Sequence, residues 1–176
     1  MKLRKMIFCA VFAAILCVTA PLAIPLGPVP LTLATFVIYL AASVLGWRLG
    51  TVSVLLYIAI GAIGLPVFSG FSGGFQKLAG VTGGYIVGYI PCALAAGFIA
   101  GKFKGRIWSY PVGMAIGTIL LYTLGTAWFS LETKTGAAAA LLLCVVPFLI
   151  GDVIKIAVVT AIAPQLRKRV KTMLRT

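Results

Sequence analysis

The 176 residues are 62% hydrophobic and 10% charged, with a mean hydropathy of +1.16, well short of the roughly 25% charged residues of a soluble domain. Fifteen Lys and Arg and two acids cannot cover a soluble fold while long apolar runs stay bare, so the solvent is lipid. The net charge of +13 would suggest nucleic acid in a soluble protein, but here the cations cluster at the ends of apolar runs, where they set topology and meet anionic headgroups, so no nucleic-acid partner is expected.

Taking about 20 apolar residues as one crossing, the sequence predicts an all-α integral membrane bundle of six transmembrane helices in a single domain. The spans fall near 6–24, 31–47, 51–66, 82–101, 107–129 and 137–163, with a basic tail over 164–176. Lys2, Arg4 and Lys5 before the first run resemble a signal peptide; a retained first span is expected, because the later runs need one to set their orientation. Within it Ala10 and Ala14 stand at the i, i+4 spacing that lets helix backbones approach closely. Gly84 and Gly88, Gly97 and Gly101, and Gly113 and Gly117 repeat that spacing, most of them for packing inside the bundle.

The link to the second span contains Pro21, Pro25, Pro28 and Pro30. Each proline fixes its own φ and biases the residue before it, so this outer link is stiff and near-extended. Thr32 and Thr35 follow, with hydroxyls that serve either a ligand or their own helix backbone.

After the short third span, the segment from Gly64 to Tyr85 is dense in glycine, with Phe68, Phe71, Phe75 and Tyr85 interleaved. That composition suits either a backbone that turns sharply and approaches a ligand, or a flexible outer loop. It is no phosphate loop, and Gly97-x-x-x-Gly101-Lys102 is one residue too short for one and runs into Phe103.

The last span is long, with Pro147 near its outer part, so a tilt or kink is expected. Inside it Asp152 and Lys155 stand at i, i+3 and share a helix face. Translocon scales charge about 2.5–3.5 kcal/mol for each such residue at a helix centre. A bare ion pair tethering helices is one explanation; contact with a polar ligand is the favoured one. Phe148 and Val159 extend the stripe by a turn each way.

Six crossings place twelve basic residues on one side and only Lys77 and Lys134 on the other, with Lys155 inside. By the positive-inside rule both termini are cytoplasmic. The chain has no His, its acids are Glu132 and Asp152 alone, and Cys9, Cys17, Cys92 and Cys144 lie in apolar runs without Cys-x-x-Cys spacing. No metal site, cofactor or enzymatic activity is therefore expected. A lone membrane acid also suggests a proton carrier, but a cation one turn away opposes proton uptake.

Five stretches, in order, resemble the BioY family of biotin transporters: Pro28-Val-Pro-Leu-Thr-Leu-Ala-Thr-Phe36; Gly64-Leu-Pro-Val-Phe68 with Ser72-Gly-Gly74; Thr82-Gly-Gly-Tyr85; Tyr122-x-x-Gly125-Thr-x-Trp128; and Pro147-Phe-x-x-Gly-Asp-x-x-Lys155. Two positions depart from the pattern, Ala34 in place of Gln and Val81 where Pro often stands. The resemblance implies a substrate-specificity subunit, or S component, of an energy-coupling factor (ECF) transporter in a prokaryotic cytoplasmic membrane. Such a subunit captures biotin from outside and docks on a transmembrane scaffold driven by two ABC-type ATPases. The resemblance also implies that Ala10 and Ala14 form the docking surface and that Asp152 and Lys155 are the core of the biotin site. Gly73, Gly74 and Tyr85 are expected as backbone and aromatic contacts, with Phe68 and Phe148 beside them. An S component for another vitamin, a proton-coupled carrier and a membrane scaffold protein are the competing readings.

Overall fold

A computed structural model describes residues 2–25 and 29–175; Pro28 lies outside the described residues. Among the described residues eight helices and one two-stranded hairpin follow in the order α1 (Lys2–Thr19), β1 (Ala23–Ile24), β2 (Leu31–Thr32), α2 (Ala34–Leu45), α3 (Trp47–Ala62), α4 (Phe75–Ala79), α5 (Gly83–Lys102), α6 (Ser109–Thr133), α7 (Ala137–Cys144) and α8 (Val146–Arg175). By length and composition α5, α6 and α8 can each cross a membrane, while α2 and α3 are shorter apolar helices.

In α1, Cys9, Phe12, Ala13 and Leu16 are buried at helical spacing, while Val11, Ile15 and Val18 point outward. A helix apolar all round suits a lipid exterior. The buried side packs on α2 and α3, and Ala10 and Ala14 lie on the exposed side.

The hairpin pairs Ala23 with Thr32 and Ile24 with Leu31, antiparallel. Thus the expected second span, 31–47, opens as a strand and becomes helical only at Ala34. A single residue, Gly46 at φ +84°, joins α2 to α3, a conformation open to glycine at little cost. The chain folds back so tightly there that a Cβ on Gly50 would come 2.7 Å from the Ala42 Cα.

The α5–α6 contact is the most extensive between any two described helices. Added Cβ atoms would meet Trp128 from Gly84, Leu121 from Gly88, Ile99 and Ala96 from Gly113, and Cys92 from Gly117. Residue numbers rise on one helix as they fall on the other, so the pair is antiparallel, and each of these glycines makes room for a side chain or backbone of the other helix across the seam. Gly101 meets nothing within 4 Å.

Pro147 breaks the last apolar run rather than bending it. Val145 leaves helical geometry at φ −124°, ψ −53° and separates α7 from α8, and the proline then sits in the first turn of α8, where a missing N–H costs nothing.

The basic end is tied together across the sequence. Arg167 is buried, donates to the Ala100 carbonyl at 2.9 Å and lies 6.0 Å from the Tyr110 ring centroid. Arg4 donates to the Met173 carbonyl at 2.9 Å. The hairpin, the 63–82 loop and the α6–α7 link stand at the opposite end.

Candidate functional site

Because Pro147 restarts the helix at Val146, Phe148, Asp152, Lys155 and Val159 fall on one face of α8, and that face turns inward. Phe148, Asp152 and Val159 are buried, and the Lys155 side chain is only 11% exposed. Their neighbours Ile150, Val153 and Ile154 point out toward lipid.

The charges are surrounded by partners from three other elements. Asp152 Oδ1 accepts from Lys155 Nζ at 3.1 Å and from Thr35 Oγ1 at 3.5 Å, and Oδ2 accepts from the Tyr122 hydroxyl. Lys155 Nζ also donates to the Thr32 carbonyl and to Thr35 Oγ1, both at 2.9 Å. An ammonium has three protons, and all three are engaged. The network joins β2, α2, α6 and α8 through one ion pair. Burying such a pair is tolerable only when its remaining protons and lone pairs are met, as they nearly are here.

Beside the network lies a small cavity of about 50 Å³. Tyr85 and Tyr89 of α5, Tyr122 of α6 and Phe148 of α8 give it aromatic walls, while Val29, Pro30 and Leu31 lie along its hairpin side. The Tyr85 ring packs against Gly125, where a Cβ would intrude to 2.3 Å, and its hydroxyl shares a hydrogen bond of 2.9 Å with Thr126. Lys155 also borders an open, mostly apolar hollow between the hairpin and Phe71.

A family model for the BioY family matches residues 1–172. A probable biotin transporter BioY of Pyrococcus horikoshii is 40% identical over 167 residues, covering 95% of this chain and 98% of the relative. The biotin transporter BioY of Thermotoga maritima is 40% identical over 166 residues, covering 94% and 97%. The chain belongs to the BioY family.

Its fold is that of a solved S component: the crystal structure of the S component for biotin from an ECF-type ABC transporter superposes with a TM-score of 0.88 at 29% identity, covering 95% of this chain and 92% of that one. This BioY-family chain is thus an all-α integral membrane protein, a six-transmembrane-helix bundle of the S-component type. It is not an enzyme.

Of the residues expected at the site, Asp152, Lys155, Tyr85 and Phe148 come together on the cavity. Phe68, Gly73 and Gly74 are not among its lining residues; they shape the loop after α3. Phe68 is fully buried, edge-on to Tyr57 with centroids 5.6 Å apart, and its ring fills the space over Gly61, where a Cβ would stand 2.1 Å away. A Cβ on Gly73 would lie 2.2 Å from the Leu65 carbonyl oxygen, and Gly74 at φ +91° donates to the Gly61 carbonyl at 2.7 Å.

Tyr122 and Tyr89 were not singled out as site residues. Tyrosine in an apolar run is ordinary, but Tyr122-x-x-Gly125-Thr-x-Trp128 did mark the place. Tyr122 holds Asp152, Gly125 receives the Tyr85 ring, Thr126 takes its hydroxyl, and Trp128 Nε1 donates to the Gly80 carbonyl at 3.1 Å. Thr35 spends its hydroxyl on the ion pair rather than on its own helix.

Proposed function

We propose that this chain is the biotin-binding subunit of an ECF-type importer. The observation that carries the reading is a carboxylate held at the edge of an aromatic-walled cavity with one acceptor position still open. Biotin offers ureido N–H donors to such a group, an apolar thioether ring to the tyrosines and Phe148, and oxygens that can draw one proton of Lys155 away from its present partners.

In this proposal the hairpin end faces outside, where biotin is captured, and the termini and the 102–106 loop face the cytoplasm, as the basic residues favour. The crossings are α1, α2, α3, α5, α6 and the α7–α8 pair, forming one membrane domain in a prokaryotic cytoplasmic membrane. Delivery requires docking on a transmembrane scaffold driven by two ABC-type ATPases. Ala10 and Ala14, exposed and small on the outer side of α1, suit that contact.

The test is a panel of vitamins against the purified chain. A ligand at 100 times its Kd stabilises the folded state by about 2.7 kcal/mol. Biotin should raise the unfolding temperature, while thiamine and riboflavin should not. A shift with another vitamin, or none at all, would refute the reading.

A further inference from the structure

The acceptor count at Asp152 points to a residue that decides how a ligand is held. An ionised carboxylate has about four lone-pair positions, two on each oxygen. Lys155 and Thr35 take both positions of Oδ1, and Tyr122 takes one of Oδ2. A single acceptor position remains. We propose that Tyr122 is a positioning and specificity residue: by occupying Oδ2 it fixes the carboxylate plane and limits Asp152 to one ligand N–H, so that a neutral cyclic urea is accepted through one nitrogen only.

Three observations support this assignment. Among the described residues Tyr122 is the sole donor recorded on Oδ2, whereas Oδ1 has two. Tyr122 lines the ligand cavity on one side and, on the other, a groove between α6 and the α7–α8 pair that also contains Leu141, Val145 and Leu149. That groove is mainly apolar, and its hydroxyls on Thr123, Thr126 and Ser130 are already bonded to Ile119, Tyr85 and Thr135, so none stands ready to replace Tyr122 as a donor to Asp152. The hydroxyl also belongs to α6, a different helix from the acid it holds, so carboxylate orientation depends on how α6 seats against α8. Charge-assisted bonds are the stronger kind, so losing this one leaves the carboxylate held through Oδ1 alone, by Lys155 and Thr35.

This inference rests on the biotin reading, and one set of measurements separates the two. Asp152 is the chain's sole aspartate, so carboxyl-¹³C aspartate labelling yields a single resonance. Tyr122→Phe should move that resonance in the ligand-free protein and weaken biotin binding about tenfold or more, as loss of a charge-assisted bond implies. Should that variant fail to fold, 3-fluorotyrosine at position 122 keeps the shape with a stronger donor and should move the resonance in the opposite sense. A resonance that neither change moves, or a Tyr122→Phe protein that binds biotin like the parent, overturns the assignment. If the parent itself neither binds biotin nor shifts its resonance on biotin addition, the functional reading fails and this inference falls with it.

Discussion

Replacing Asp152 with Ala takes the acceptor away from three donors at once. Lys155 keeps the Thr32 carbonyl and the Thr35 hydroxyl, but its charge, 11% exposed, loses its counter-ion. Removing one partner of a buried pair costs about 3–5 kcal/mol, so the ligand-free variant should unfold at a clearly lower temperature. Biotin also loses a charged acceptor worth about 1.5–3 kcal/mol, or roughly 10- to 150-fold in Kd. Asp152→Asn preserves shape but removes the charge and one acceptor oxygen, so its NH2 either opposes the Lys155 ammonium or forces the Tyr122 hydroxyl to turn and accept, and it should also bind poorly. Asp152→Leu combined with Lys155→Met removes both charges, and such replacements are often neutral or stabilising. That double variant should recover stability without recovering binding. Unfolding in detergent with and without biotin, together with equilibrium binding, measures both quantities. If Asp152→Ala and Asp152→Asn fold and bind like the parent, or if the apolar pair binds biotin, the ion pair is scaffolding alone and the reasoning is wrong.

Three further outcomes are expected. In a background lacking Cys9, Cys17, Cys92 and Cys144, single cysteines at 77 and 134 should react with an impermeant reagent from outside while one at 104 should not; the reverse pattern would invert the topology. Ala10→Leu with Ala14→Leu should bind biotin normally yet fail to co-purify with the scaffold and ATPases and lose concentrative uptake, and retention of both would show that this face of α1 does not dock. Gly117→Ala would bring a Cβ to 2.8 Å from the Cys92 carbonyl oxygen and should destabilise the α5–α6 pair by about 1–3 kcal/mol, whereas Gly101→Ala, with open space around it, should be neutral by the same unfolding measurement.

The parts of the site that stood out in the sequence are those that are costly in lipid. Asp152 and Lys155 are conspicuous because charge inside an apolar run needs a reason. Their helical spacing also supplied Phe148. Tyr122 and Thr35 complete the network but break no compositional rule, so only three-dimensional proximity identifies them as its members. The glycine-rich loop shows the opposite difficulty. Glycine marks close approach of something to backbone, and composition cannot say what. At Gly73 it is the Leu65 carbonyl, and at Gly61 the Phe68 ring. Hydropathy likewise located apolar runs, but the strand at Leu31–Thr32 and the interruption at Val145 arise from backbone geometry within them.

The Lys155 bond to Thr32 ends on a main-chain carbonyl. No side-chain exchange at position 32 can delete that acceptor. The hairpin at the mouth can therefore drift in sequence, trading hydroxyl for methyl or small for large, while staying fastened to the ligand site by the same lysine. Divergence of the mouth and retention of its anchorage are independent, and a chimera carrying another family member's 21–32 segment should inherit the tether without any matching change in α8.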